Sequence, residues 1–258
     1  MPARRGVLAF VLSLLALGLA LSFVTLRRVG TSVLASAQSA VVIFDVPETL
    51  AEGPPPANSL FLAPRRRGRV TTYDVVRALR AAAADRQVAG LVLHVGSVEW
   101  GWAKIDEVRE AVCEFRDSGK PVYASLTGGG EREYLLASAA DVVAMPPTSV
   151  LQLDGLAATA TFFRGTFDKL DIRPNFVQVG RFKSGAETYT QTGMSPESRA
   201  ALGAVLDDFY ALLLDRVGEA RELGRDSVAL LLEAGPFSAG EARASGLLDT
   251  LLYDTAVA

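Results

Sequence analysis

Lys183 is the side chain with the clearest chemical potential in this sequence. It lies between Phe182 and the small residues Ser184, Gly185 and Ala186, directly after the β-rich stretch 175–179. A strand end running into a small-residue turn is where α/β folds place functional groups. Partial burial there would favour a neutral amine, and a neutral amine can take a proton from a serine hydroxyl. On the bare sequence, a solvated surface charge is the ordinary reading of such a lysine. The nucleophile that would need this base is harder to find. Ser184 adjoins Lys183, but neighbouring side chains on an extended backbone point apart. Ser125 and Ser138 read as strand-end and helix-packing residues, and Ser97 is the least implausible stand-in. His94 is the only histidine, so a Ser-His-Asp triad would have to use it. Within Leu91-Val92-Leu93-His94-Val95 it reads instead as a strand residue filling a position. Cys113 is the only cysteine, which excludes an intrachain disulfide, and its helical setting suggests a buried, inert thiol.

The elements that would position these groups alternate between strand and helix. A first strand is expected over 39–46, then a Pro-rich irregular loop to residue 69 holding Pro54, Pro55, Pro56 and Pro64. Thr71 or Thr72 caps a helix reaching residue 84, with Val75, Val76, Leu79 and Ala82 as its apolar stripe. A strand over 91–95 follows, then a helix over 103–118 stopped by Gly119, and a strand over 121–125. Gly128-Gly129-Gly130 turns into a helix over 131–140, and a strand over 141–145 is closed by Pro146-Pro147. A helix over 162–170 and a strand over 174–179 lead to the Lys183 turn. Ser195-Pro196-Glu197 then starts a long helix to about residue 223, with cap, first-turn proline and early carboxylate in order. Short helices over 226–233 and 239–245 complete the chain. This alternation predicts a mainly parallel sheet covered by helices on both faces.

The chain has 258 residues, half of them apolar, and a net charge of -3. Basic and acidic residues are interspersed, which argues against nucleic acid as a partner, because phosphate binding needs a concentrated basic face. The one basic cluster, Arg65, Arg66, Arg67 and Arg69, reads as a solvated loop, with an anionic-lipid contact as the alternative. Residues 6–26 form an uncharged apolar run between Arg4-Arg5 and Arg27-Arg28. At about 1.5 Å per residue it spans roughly 31 Å, the thickness of bilayer hydrocarbon. The reading is an uncleaved single-pass anchor within residues 1–30, although Ala35-Ser36-Ala37 would pass as a cleavage site. A short tail before a large domain favours a cytoplasmic N-terminus, with the body, 38–258, on the extracytoplasmic (periplasmic) side of the inner membrane.

The stretch Val179-Gly180-Arg181-Phe182-Lys183-Ser184-Gly185-Ala186-Glu187, followed by Met194-Ser195-Pro196, resembles the lysine motif of the signal peptide peptidase A (protease IV) family. Residues 85–93, 114–124 and 134–141 resemble, in order, that family's second strand, its next helix–strand junction and the helix after the nucleophile turn. Phe237-Ser238-Ala239-Gly240-Glu241-Ala242, with Gly246-Leu247-Leu248-Asp249, is similar to the closing motif shared with the wider ClpP/crotonase superfamily. The resemblance covers about residues 41–254. It implies repeated β-β-α units, a Ser–Lys protease without metal or cofactor, Lys183 as general base, and assembly into homo-oligomeric rings.

More closely, the chain resembles the N-terminal half of the family's long, two-domain form, in which this half supplies the lysine and a downstream domain the serine. The nucleophile of the short form would fall near Glu131, where no serine stands. The glycine-rich oxyanion turn expected after residue 95 is replaced by Gly96-Ser97-Val98-Glu99-Trp100-Gly101-Trp102, poor material for aiming N–H groups at an oxyanion. The chain also stops just after Gly246-Leu247-Leu248-Asp249, where such a first domain would end. The resemblance therefore implies a half-site whose serine comes from a downstream domain or a partner chain, acting on membrane-associated peptides such as cleaved signal peptides. A non-catalytic, membrane-tethered scaffold or peptide-binding module is the competing expectation. A crotonase-like acyl-thioester enzyme is a weaker third, because coenzyme A esters are cytoplasmic. Trp100 and Trp102 read as core or interface packing before substrate-groove lining.

Overall fold

The computed structural model describes residues 39–53 and 70–253. The expected anchor, the proline-rich loop and the Arg65–Arg69 cluster lie outside the described residues. Among the described residues no helix is long and apolar enough to cross a membrane. The chain divides into two compact units. Of the smaller one, residues 1–40 and 86–88, the described part is held by the Ala40 N–H donating to the Gln87 carbonyl at 2.7 Å. Apart from Ala40 and Val88, the first residues of two strands, everything below concerns the larger unit, residues 41–85 and 89–258.

Elements follow in the order β1 (Ala40–Asp45), α1 (Thr72–Ala84), β2 (Val88–Val95), α2 (Trp102–Asp117), β3 (Val122–Leu126), β4 (Gly129–Gly130) and α3 (Glu131–Ala137). Next come β5 (Val142–Met145), β6 (Val150–Gln152), α4 (Arg164–Lys169), α5 (Glu187–Thr190) and α6 (Pro196–Arg221). The last are α7 (Arg225–Ala234), β7 (Phe237–Ser238), α8 (Ala239–Ala244) and β8 (Thr250–Leu251). The main sheet runs β1-β2-β3-β5-β8, with β2–β3, β3–β5 and β5–β8 parallel. A small sheet, β4-β6-β7, carries the glycine turn on one edge. The fold is therefore mixed α/β with a mainly parallel sheet, as the alternation of elements predicts. Leu91, Val92 and Leu93 are all buried, so both faces of β2 are covered.

Local signals account for most of these elements. Thr71 caps α1 in a reciprocal box: its Oγ1 accepts from the Asp74 N–H (3.2 Å), and Asp74 Oδ2 accepts from the Thr71 N–H (3.1 Å). At the other end, the Lys120 ammonium donates to the carbonyls of Ala82 (2.8 Å), Ala83 (2.8 Å) and Asp85 (2.6 Å). A cation on the last-turn carbonyls answers both the orphan acceptors and the helix dipole. Gly119 ends α2 at φ 85°, a conformation costly for any residue with a Cβ. Ser195 caps α6, accepting from the Ser198 N–H at 3.0 Å, with Pro196 in the first turn.

Two expectations need correction. The strand over 174–179 does not form: among the described residues no neighbouring strand offers its ladder groups. Val177 and Val179 are 97% and 87% exposed there, so β-propensity finds nothing to pack against. The helix over 162–170 shortens to α4, none of whose residues is buried.

Candidate active site

Lys183 lies in a tight turn. Its N–H donates to the Gly180 carbonyl at 3.3 Å, Gly180 has φ 109°, and the Glu187 N–H donates to the Ser184 carbonyl at 2.9 Å. The turn is tied down from its far end by Glu187. That buried carboxylate accepts from Ser195 Oγ at 2.6 Å and from the Ser195 N–H at 3.1 Å. These hydrogen bonds hold the Glu187 pKa below the usual glutamate range. The glutamate that closes the motif thus anchors the lysine turn to the start of α6. Behind the turn, the Tyr189 ring stacks near Phe163 (6.3 Å), Phe167 (6.1 Å) and Phe176 (5.7 Å).

Lys183 itself is exposed. The partial burial expected of a neutral amine is not supplied by the described residues, because the neighbours Phe182, Val179 and Val177 are exposed as well. No hydrogen bond joins Ser184 to Lys183, in keeping with side chains that diverge along the backbone.

A polar cavity of about 440 Å³ opens at the glycine turn, lined by Ser97, Thr127, Gly128, Gly129, Gly130 and Glu131, together with Arg132, Glu133 and Gln152. Lys183 is not part of its wall. Two carboxylates from the first turn of α3 dominate the cavity. Glu131 accepts through Oε1 from the N–H groups of Asp154 (3.1 Å) and Gly155 (2.9 Å). Burial pushes its pKa up, against the hydrogen bonds from its own, the Asp154 and the Gly155 N–H. Glu133 is only 7% exposed and reaches both loops. Its Oε1 accepts from the Val98 N–H at 2.8 Å, and its Oε2 from the Gly130 N–H at 3.0 Å. Gly129, at φ 126°, leaves room for that side chain: a Cβ there would come within 2.7 Å of Glu133 Cγ. The Val98 N–H of the 96–101 turn and the Gly130 N–H of the glycine turn are therefore satisfied internally, by the one carboxylate of Glu133.

Apart from Ser97, the remaining candidates are structural or inaccessible. Ser97 is exposed on the cavity wall. Ser138 is buried and donates to the Leu135 carbonyl at 2.9 Å. Ser125 is 0% exposed on β3, in register with His94 on β2. His94 does more than fill a strand position: its Nδ1 lies 2.9 Å from Asp45 Oδ1. Aspartate, histidine and serine thus occupy adjacent strands in one row, but a serine sealed from solvent offers no hydroxyl to a peptide. Only strand register, invisible until the sheet order is known, reveals this row. Trp100 is core, 1% exposed with Nε1 donating to the Pro47 carbonyl (2.9 Å), and Trp102 stacks on Phe209 at 5.3 Å.

The model of peptidase family S49 matches residues 114–258. Serine protease SPPA, chloroplastic, of Arabidopsis thaliana is 31% identical over 176 residues, covering 68% of this chain and 26% of that protein. Protease 4 of Haemophilus influenzae is 30% identical over 161 residues, covering 62% of this chain and 26% of that one. Protease 4 of Salmonella typhi is 30% identical over 186 residues, covering 70% and 30%. The chain thus spans between a quarter and a third of the length of these relatives. Among solved structures, an enoyl-CoA hydratase/isomerase family member aligns with a TM-score of 0.40 and 17% identity, over 70% of this chain and 59% of that one.

Proposed function

From the premise that this chain belongs to peptidase family S49, we propose that it is the lysine-bearing part of a membrane-anchored serine endopeptidase of the signal peptide peptidase A type. Lys183 acts as the general base of a Ser–Lys dyad, and the serine is delivered by a downstream domain, a partner chain or a neighbouring subunit of a homo-oligomeric ring. Substrates are cleaved signal peptides or other membrane-associated peptides, hydrolysed on the extracytoplasmic side of the inner membrane without a cofactor. The observation that carries the reading is the pairing of an intact lysine turn with a nucleophile position held by Glu131. A carboxylate that already accepts two backbone N–H groups offers Lys183 no hydroxyl to activate at that position. The exposed apolar run around the lysine, Phe176, Val177, Val179 and Phe182, supports a covering surface from outside the chain. Such a cover would remove water from the amine and favour its neutral form.

In the test, a fluorophosphonate probe leaves the isolated chain unlabelled and labels the serine of the full assembly. Lys183→Ala then abolishes peptidase activity of the assembly. Retained activity would remove Lys183 from the mechanism, and labelling of the isolated chain would refute the half-site. Glu131 and Glu133 also favour a second reading, a membrane-tethered scaffold or peptide-binding module of the same fold. It predicts no serine labelling in any assembly containing this chain.

A further inference from the structure

Between Gly155 and Ser195 only Glu187 is buried, and α4 and α5 pack mainly on each other. Fixing such a segment costs conformational entropy that burial ordinarily offsets, and little burial offsets it here. Apolar side chains are present but face outward. Phe163 and Phe176 stack on Tyr189, and Val177, Val179 and Phe182 continue from Phe176 toward Lys183. These six residues expose roughly 700 Å², close to the about 800 Å² that one partner contributes to a stable interface.

The backbone is unpaired as well. No N–H or carbonyl of 157–161 or 174–179 has a hydrogen-bond partner among the described residues, and neither stretch forms a helix, strand or turn. Both carry β-branched residues at alternate positions, Thr159 and Thr161 in one, Val177 and Val179 in the other. Alternate positions share one face of a strand, so Val177 and Val179 point one way while Phe176 turns to Tyr189. One chain thus holds two stretches that each lack a ladder, and within the chain they do not pair with each other. The arginines nearby are matched, Arg181 by Glu197, Arg173 by Asp171 and Arg164 by Asp168, so they set no one-sign field against an identical surface.

We propose that residues 174–179 pair as a β-strand with residues 157–161 of a second copy of this chain. The apolar side chains of that copy then cover Val177, Val179 and the aromatic group around Tyr189. Two different stretches meet, so the contact is head-to-tail and adds copies until a ring closes. The inference names the partner at the lysine turn and rests on the assembly proposed above, but it does not require Lys183 to be a base.

The test uses the full chain in nonionic detergent, with Cys113→Ser as background. Thr159→Cys and Val177→Cys are placed in separate chains and treated with a short bismaleimide, alone and mixed. The mixture should give at least tenfold more linked dimer than either variant alone, because paired strands bring direct and diagonal neighbours within reach. Sedimentation velocity at rising concentration then measures association. Asn175 and Gln178 lie at odd and even positions, so their N–H groups point to opposite edges of a strand. One of Asn175→Pro and Gln178→Pro should weaken association at least tenfold. The other, like Asn175→Ala and Gln178→Ala, should stay within about threefold. None of these four removes an apolar side chain, so a loss reports the backbone ladder. A chain monomeric at every concentration, self-linking equal to that of the mixture, or equal effects of the two prolines would each overturn the proposal. Should a cysteine variant fail to fold, the proline pair decides alone. Lys183→Ala in the assembly tests the peptidase reading separately.

Discussion

Removing the Glu133 carboxylate tests whether the glycine-turn cavity is built around that side chain. In Glu133→Ala two N–H groups lose their acceptor. That of Val98, a residue 1% exposed, is left in the interior, while that of Gly130 faces the cavity. An orphaned buried donor costs about 1–3 kcal/mol. Loss of the acceptor for the Gly130 N–H at the start of α3 adds roughly 0.5–1 kcal/mol, near the low end for a helix cap because α3 has only 7 residues. The expected destabilisation is about 2–4 kcal/mol, which for a domain of this size lowers Tm by roughly 5–12 °C. Glu133→Gln keeps one acceptor and turns an NH₂ toward the other N–H, so about half that loss is expected. Urea unfolding followed by tryptophan fluorescence reports directly, since Trp100 lies in the turn that Glu133 holds. A Glu133→Ala variant within about 0.5 kcal/mol of the unaltered chain would show that water replaces the carboxylate at no cost, and the internal-satisfaction argument would fail.

Lys120→Met leaves three carbonyls at the end of α1 to water and removes a cation from the helix C-terminus. A loss of about 1–2 kcal/mol in urea unfolding is expected, and no loss would mean the ammonium is merely adjacent. Glu187 has its folded pKa depressed, so its contribution is present at neutral pH and is lost as pH falls through that folded value. Limited proteolysis within 180–195 should therefore accelerate below the usual glutamate range, and Glu187→Gln should show the fast cleavage already at pH 7. Cleavage independent of pH in both proteins would refute the anchoring role. Val177→Asp alters a side chain 97% exposed, so the chain's own stability should stay within about 0.5 kcal/mol while activity of the proposed assembly falls at least tenfold. Full activity would mean that Val177 lies outside any contact.

Local signals were the legible ones. Thr71, Gly119 and Ser195 each mark a helix boundary through chemistry confined to three or four residues, and each boundary lies within two residues of its expected place. The strands β4, β6, β7 and β8 were not legible, because two or three residues carry no periodicity and are defined only by what they pair with. The opposite failure occurs at 174–179, where β-rich composition has no neighbour to pair with among the described residues. Lys183 was legible as a motif, but its environment was not, since local sequence specifies the turn and not what covers it. Glu133 escaped notice for a different reason. Its role depends on Val98, 35 residues earlier in the chain and contributed by another loop.

The two halves of the candidate site differ in a way that bears on mechanism. At the glycine turn, polar groups are satisfied: Glu131 and Glu133 accept four backbone N–H bonds from three loops, and reorganising them to receive a substrate would break these bonds, the one from Val98 being buried. At the lysine turn the reverse holds. The backbone is fixed by Glu187 and the Tyr189 cluster, while the amine and the apolar residues before it remain uncovered. A rigid turn presenting an exposed amine and exposed apolar side chains has its geometry set in advance, so a partner that docks on it has little conformational entropy left to quench. Only the second half is therefore arranged to gain by contact. On the function proposed above, the chemistry of this chain would belong to the lysine turn and whatever docks on it, with the glycine turn as fixed structure.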